Sequence, residues 1–238
     1  MLKTIKIYKE EICNLSRIPI NVCDNPCYKT TRQIIDAAYA DTTLSYKEAE
    51  LYNHYQIYNP KTIFDLYGVV DKLSSQPLGR SFLPWIYKEP LKNQVDVAFI
   101  KPLSSSHTSS ENFIHNQVKK LEFLVESFRK FGYSPSSFPD RKGGHITGYF
   151  LKKGDTKRFY VVSGNHRTSV FCALFPEKAI PVVYESSKFA KSRELQGRQA
   201  SEFLQIYDLN DVSDWPSVKS EFLTADEALK IAEVYINV

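Results

Sequence analysis

The residues best suited to chemistry stand together in the middle of the chain, where a glycine is followed by asparagine, histidine and arginine. Residues 159–162 are aromatic and β-branched, as in a buried strand. Gly164 tolerates the backbone of a tight turn, and a helical spacing of apolar residues begins at His166. A helix start leaves backbone N–H groups unpaired, and Arg167 adds a full positive charge. This arrangement predicts a phosphate or carboxylate site.

The density of polar residues favours a ligand site over a purely structural junction. Strand–glycine–helix junctions are common and most bind nothing, because such a junction needs only one capping side chain. Here polar side chains cluster around the glycine: Ser163, Asn165, His166, Arg167, Thr168 and Ser169. His166 can contact a phosphate or act as an acid or base, since the pKa of imidazole lies near neutral pH.

The composition predicts a globular protein with reduced thiols. The chain has 238 residues, 42% of them hydrophobic, which allows one large domain or one domain with additions. A net charge of +4 is too small to indicate nucleic acid. The four cysteines lack a metal-ligand pattern: Cys13, Cys23, Cys27 and Cys172. Because residues 1–6 precede no apolar run and no stretch is long enough to cross a bilayer, we expect a cytoplasmic protein without a secretory leader.

Helices and strands are predicted on both sides of the glycine turn. Apolar residues at four-three-four-three spacing predict a long helix over residues 110–131 that ends at Gly132. Two Ser/Thr-x-x-Glu capping boxes, starting at Ser45 and Thr224, predict two more helix starts. The other predicted elements are strands over 4–8, 95–100, 146–151, 158–162 and 179–184, and helices over 30–39, 62–73 and 187–204. A hairpin turn over 152–155 is predicted to join the strands over 146–151 and 158–162.

The motifs around the turn, taken in order, resemble the ParB/sulfiredoxin superfamily. That family has a helix ending in Leu-x-x-Ser-Ile and a glycine, a strand leading into a glycine–arginine turn, and a strand with Ile-Pro-Val. The matching residues here are Leu124, Ser127, Phe128 and Gly132, then Ser163, Gly164, His166 and Arg167, then Ile180, Pro181 and Val182. The resemblance covers residues 95–185.

The resemblance implies an α+β fold with a small mixed sheet and packed helices. Residues 95–185 would form the ParB/sulfiredoxin-like domain, and residues 186–238 a helical C-terminal extension. Residues 1–94 would be an aromatic-rich extension that packs on this domain. Within it, Trp85 can stack on a sugar or base, or lie in a loop laid over the core.

In the superfamily the glycine–arginine turn binds nucleotide phosphates, which implies ATP or another nucleoside triphosphate together with Mg²⁺. The residues implied to bind the cofactor are Ser163, Gly164, Asn165, Arg167, Thr168 and Ser169. Asn165 replaces the nucleophilic cysteine of sulfiredoxin, which argues against that reaction. The DNA-binding helix-turn-helix that follows this domain in partition proteins is not evident here. Ser163 stands where the related small-molecule kinases tend to have an acidic residue.

The function expected from this resemblance is phosphoryl transfer to a hydroxyl group of a small metabolite, with sugars among the candidates. His166, Glu111 and His115 are the predicted catalytic residues, although His115 can equally be a surface histidine. The alternative is a module that senses a nucleotide or binds DNA without turnover, and nuclease activity ranks last. We expect a nucleotide and a small molecule as partners rather than DNA or a membrane, and a homodimer stays open.

Overall fold

The fold is built around a mixed β-sheet. The computed structural model describes residues 4–15, 18–57, 83–86, 107–135, 144–184 and 206–238, which form an α+β structure. The strands in these ranges are β1 (Thr4–Ile7), β2 (Asn14–Leu15), β3 (Ile18–Pro19), β4 (Ile146–Lys153), β5 (Thr156–Ser163), β6 (Ile180–Tyr184) and β7 (Ile206–Asp208). The helices are α1 (Pro26–Tyr39), α2 (Glu50–Ile57), α3 (His107–Phe131), α4 (Asn165–Leu174), α5 (Pro216–Lys219) and α6 (Ala225–Ile236).

Strand β4 lies at the centre of the five-stranded sheet, whose order is β1-β6-β4-β5 with β7 also paired to β4. The predicted hairpin is confirmed: β4 and β5 are antiparallel, and Gly154 has a positive φ of 55° in the turn between them. Strand β6 runs parallel to the first half of β4, and β7 runs parallel to its second half. Strand β1 is antiparallel to β6 at one edge.

Side chains alternate across β4 and β5, so each face of the sheet builds its own core. Phe150, Phe159 and Val161 belong to one buried cluster with α1, α3 and α4, which we call the helical core. Leu151 and Tyr160 belong to a second cluster with α6. We call this second cluster the aromatic core, and its large rings are Trp85, Tyr160, Trp215 and Tyr235. The sheet therefore lies between two layers of helix.

Helix α3 buries the predicted apolar face. Its fully buried residues in the helical core are Ile114, Val118, Leu121, Val125 and Phe128. The helix ends as predicted at Gly132, which has a φ of 71° and donates its backbone N–H to the carbonyl of Phe128 at 2.9 Å. Since the face is continuous over the length of α3, the helix can support both the sheet and α4.

The N-terminal segment covers the edge of the sheet opposite β1. The backbone N–H of Cys13 donates to the carbonyl of Phe159 at 3.1 Å. The buried amide of Asn14 accepts from the N–H of Val161 at 2.7 Å and donates to its carbonyl at 3.1 Å. This side chain takes the place of a neighbouring strand for Val161, so the N–H and carbonyl of Val161 and the carbonyl of Phe159 are satisfied at this edge.

Two predicted helix starts are wrong. Helix α1 begins at Pro26 rather than at residue 30, because Asn25 accepts from the N–H of Cys27 at 2.9 Å and caps the earlier start. The box at Ser45 does not open a helix: the N–H of Glu48 donates to the carbonyl of Ser45 in a turn, and α2 begins only at Glu50. The second box is confirmed, since Thr224 caps α6.

Several predictions fall outside the described residues. These are the strand over 95–100, the helices over 62–73 and 187–204, and the domain boundaries at 94/95 and 185/186. Trp85 is described and buried in the aromatic core, which confirms the loop laid over the core at that position. None of the helices in the described ranges has the length and apolar character needed to cross a membrane.

Candidate functional site

The turn between β5 and α4 depends on a glycine. Gly164 has φ 95° and ψ 22°, in the left-handed region, and it is the residue that precedes the first turn of α4. A Cβ atom there would stand 3.0 Å from Cα of Ile146 and 3.3 Å from the carbonyl oxygen of His145. Both the backbone conformation and the close approach of the neighbouring strand therefore require glycine.

The backbone N–H groups of the first two residues of α4 have no acceptor in the described part of the chain. The first bond of the helix runs from the N–H of Thr168 to the carbonyl of Gly164 at 2.8 Å. Among the described residues, no acceptor faces the N–H of Asn165 or of His166, and no side chain caps the helix. The side-chain oxygen of Asn165 is also buried without a hydrogen-bond partner. Unpaired donors with a helix dipole behind them favour an anion.

Two of the predicted ligand residues point their hydroxyls into the helix. Thr168 and Ser169 are fully buried, and their hydroxyls donate to the carbonyls of Gly164 and Asn165 at 3.0 and 3.1 Å. These bonds leave both side chains engaged with the backbone of α4. Ser163, at the end of β5, is exposed. The structure thus leaves Ser163 exposed and the first residues of α4 partly exposed, and it turns Thr168 and Ser169 inward.

Positive charge surrounds His166. Burial lowers the pKa of His166 to about 4, and the charges of Lys120 and Arg167 contribute to the depression. Burial also lowers the pKa of His145, and Arg167 adds to that effect. At neutral pH His166 is therefore uncharged, and neither ring nitrogen has a hydrogen-bond partner within the described ranges. Burial is the largest cause of the depression at His166 and disfavours any charge, whereas the two cations that add to it would attract an anion.

Tyr133 fixes the strand that faces the turn. Its hydroxyl donates to the carbonyl of Gly144 at 3.3 Å and accepts from the N–H of Ile146 at 3.0 Å. Burial raises the pKa of this hydroxyl, while the N–H of Ile146 and the charge of Arg167 act in the opposite direction. Tyr133 follows α3 directly, so it links the end of that helix to the start of β4 and thereby to Gly164.

The two other predicted catalytic residues lie elsewhere. Glu111 interacts with the hydroxyl of Tyr46 at 3.3 Å and with Lys47 at 3.8 Å, and the ring of His115 stacks on Tyr46 at 4.9 Å. Glu111 and His115 point about 180° and about 140° away from Lys120 around the axis of α3. Since Lys120 is the α3 residue that acts on His166, the structure does not bring Glu111 or His115 to the turn.

Sequence reasoning missed Lys120, Tyr133 and His145. Each stands far from the turn in sequence, and their convergence depends on how α3 and β4 pack against α4. The only signal was the periodicity of α3, which places Lys120 outside the buried face of the helix.

Comparisons of this chain with protein-family models, with curated proteins and with solved structures found no match.

Proposed function

We propose that this protein binds the phosphates of a nucleoside triphosphate at the start of α4, in a ParB/sulfiredoxin-like domain. The observation that carries the proposal is the left-handed Gly164, which opens a helix with unpaired N–H groups beside two cationic side chains. The order of elements supports it further: α3 ends at Gly132, the hairpin follows, and β6 begins at Ile180, as in the motifs of the superfamily.

The activity we propose for this site is phosphoryl transfer to a hydroxyl of a small metabolite. Such catalysis rests on positioning and on stabilising negative charge, which donors and cations supply. Among the described residues no group of three or more His, Cys, Asp or Glu could hold a metal ion, and residues 163–169 carry no carboxylate that could bind the implied Mg²⁺. The roles of Arg167, Lys120 and the helix N–H groups are therefore to bind and orient phosphates.

A second candidate is a module that binds the nucleotide without turnover. Two observations favour it. His166 has a pKa of about 4, which makes it a weak base at neutral pH. The carboxylate of Glu111 lies on the opposite flank of α3, bound to Lys47 and Tyr46. Both observations favour binding of the nucleotide over its turnover.

Calorimetric titration with ATP, CTP, GTP and inorganic triphosphate, each with and without Mg²⁺, tests the proposal. We expect binding by the wild-type protein, no measurable binding by Arg167→Ala, and a several-fold loss in Lys120→Ala. Lys130→Ala is the matched control, because it removes an exposed lysine from the same helix ten residues further on. Melting curves of the free variants verify that they are folded.

Absence of binding by the wild type, or equal losses in Lys120→Ala and Lys130→Ala, would refute a phosphate site at α4. Phosphorus NMR of the protein with ATP and a panel of sugars and polyols then separates the two candidates. Loss of the γ-phosphate signal with a new phosphate ester identifies a transferase. An unchanged spectrum in the presence of proven binding identifies the module without turnover.

A further inference from the structure

A single tyrosine hydroxyl holds the start of β4. The hydroxyl of Tyr133 donates to the carbonyl of Gly144 at 3.3 Å, and it accepts from the N–H of Ile146 at 3.0 Å. These two backbone groups flank His145, so both ends of the segment 144–146 are fastened to one side chain. The position of this segment therefore depends on where the hydroxyl of Tyr133 is held.

The ring of Tyr133 sets the position of its hydroxyl. The centroid of this ring lies 5.2 Å from that of Phe128 on α3 and 5.6 Å from that of Phe171 on α4. Phe128 and Phe171 are buried members of the helical core, and Tyr133 packs against that core. Because aromatic pairs at such separations favour particular geometries, two helices fix the ring and, through it, the hydroxyl that holds the start of β4.

The segment that Tyr133 holds is the one that packs on Gly164. A Cβ atom at Gly164 would stand 3.0 Å from Cα of Ile146 and 3.3 Å from the carbonyl oxygen of His145. The left-handed turn, with its φ of 95°, is therefore confined by this segment. Gly164 is followed directly by the two residues whose unpaired N–H groups form the proposed phosphate site. A displacement of the segment 144–146 would release the turn that orients these N–H groups.

We propose that Tyr133 is a positioning residue of the phosphate site: its hydroxyl holds the segment 144–146 against Gly164 and so keeps the first N–H groups of α4 in the arrangement that binds an anion. This inference rests on the proposed function. Donors that are held in place before the anion arrives need no ordering when it binds. Without the hydroxyl, the ligand must order the turn itself, and its affinity falls.

The test is a calorimetric titration of Tyr133→Phe with inorganic triphosphate, at a temperature well below the melting midpoint of the variant. Tyr133→Phe keeps the ring and loses both hydrogen bonds, so we expect it to bind triphosphate about 5- to 100-fold more weakly than the wild type. Tyr149→Phe is the matched control. Tyr149 is also partly buried, and its hydroxyl accepts from Nε1 of Trp85 at 3.0 Å on the other face of the sheet. This control loses a comparable hydrogen bond and should bind triphosphate as tightly as the wild type.

Hydrogen exchange in the wild-type protein gives a second measurement that needs no variant. Saturating triphosphate should slow exchange at the amide of Ile146, beside the turn, more than at the amide of Leu209. The N–H of Leu209 donates to the carbonyl of Lys152 at 2.7 Å, toward the far end of β4. Equal slowing at the two amides would mean that the segment 144–146 is not coupled to the phosphate site, and it would overturn the proposal.

The outcomes separate the inference from the function on which it rests. If the wild-type protein does not bind triphosphate, the phosphate site and the role of Tyr133 both fall. If the wild type binds triphosphate and Tyr133→Phe binds it equally well, only the role of Tyr133 falls. Equal losses in Tyr133→Phe and Tyr149→Phe also overturn that role, since a general loosening of the fold would then account for both.

Discussion

Gly164 tolerates no side chain, because its positive φ disfavours a Cβ atom and the neighbouring strand leaves no room for one. A φ of 95° strains any residue with a Cβ atom, and that atom would press on the backbone of Ile146 at 3.0 Å. We expect Gly164→Ala to lower the free energy of unfolding by about 2–4 kcal/mol, since left-handed strain alone costs about 1–2 kcal/mol. Urea denaturation measures this loss, and titration with inorganic triphosphate measures the expected loss of binding.

Gly132→Ala is the control variant, because it introduces the backbone strain of a positive φ without bringing a Cβ atom close to any neighbour. It has a φ of 71°, and a Cβ atom there would meet nothing within 4 Å. Gly132→Ala should therefore lower the free energy of unfolding by about 1 kcal/mol. If the two variants lose the same stability, the close approach of β4 to the turn contributes nothing, and the account of Gly164 is wrong.

The pKa of His166 predicts a pH dependence of stability. In the unfolded chain a histidine has a pKa of about 6.5, whereas burial, Lys120 and Arg167 lower the pKa of His166 to about 4 in the folded protein. The neutral ring favours the folded state, so its contribution is complete above about pH 6.5 and disappears as the pH falls to about 4. The loss amounts to at most about 3 kcal/mol.

The measurement compares the wild type with His166→Gln by urea unfolding between pH 4 and pH 8. All other titrating groups are common to the two proteins and cancel in the difference. We expect the wild type to lose stability relative to the variant as the pH falls through this window. A difference that is independent of pH would mean that His166 has an ordinary pKa and is not in a buried, positive environment.

Among the secondary-structure elements, strand β5 has an edge whose backbone hydrogen bonds at Val161 are made by the side chain of Asn14. Asn14 is fully buried and satisfies both the N–H and the carbonyl of Val161. Asn14→Ala leaves these two backbone groups unpaired, and we expect the free energy of unfolding to fall by about 2–4 kcal/mol. Hydrogen exchange should accelerate most at the amide of Val161.

Asn116→Ala is the control variant, because it removes an asparagine that is exposed on α3. Its free energy of unfolding should stay within about 0.5 kcal/mol of the wild type. If Asn14→Ala is as mild as this control, other groups replace the lost bonds, and the N-terminal segment does not hold the edge.

The elements that could be predicted are those whose signals are local. The periodicity of α3, the hairpin turn at Gly154 and the cap at Thr224 each specify their structure within a few residues. The start of α1 was missed although Asn25 and Pro26 form a recognisable cap. At Ser45 the sequence contains a capping-box motif, but the residues that follow form a turn, and α2 begins only at Glu50.

The turn at Gly164 could be predicted, whereas its surroundings could not. Strand, glycine and helix start are adjacent in sequence, so their geometry follows from local rules. Lys120, Tyr133 and His145 reach the turn only because α3 and β4 pack beside α4. For the same reason the position of the predicted catalytic residue Glu111 could not be derived: its place on the far flank of α3 depends on how the helix is rotated in the fold.

At the scale of the whole molecule, the two cores share strands β4 and β5 but differ in what they contain. Both tryptophans of the chain lie in the aromatic core, with their ring centroids 5.6 Å apart. The proposed phosphate site lies beside the helical core, through α3 and α4. Tryptophan fluorescence therefore reports on the face of the sheet that does not carry the site.

This separation allows a test of cooperativity across the sheet. Tyr235 is fully buried against Trp85 and Tyr160, and Tyr235→Ala should lower the free energy of unfolding by about 3–5 kcal/mol. Because neighbouring residues of β4 and β5 anchor both cores, we expect tryptophan fluorescence and far-ultraviolet circular dichroism to give one coincident transition in wild type and variant. Saturating triphosphate should raise both midpoints equally in the wild type. If the fluorescence transition instead precedes the circular dichroism transition, or does not respond to the ligand, the two faces unfold independently and the sheet does not couple them.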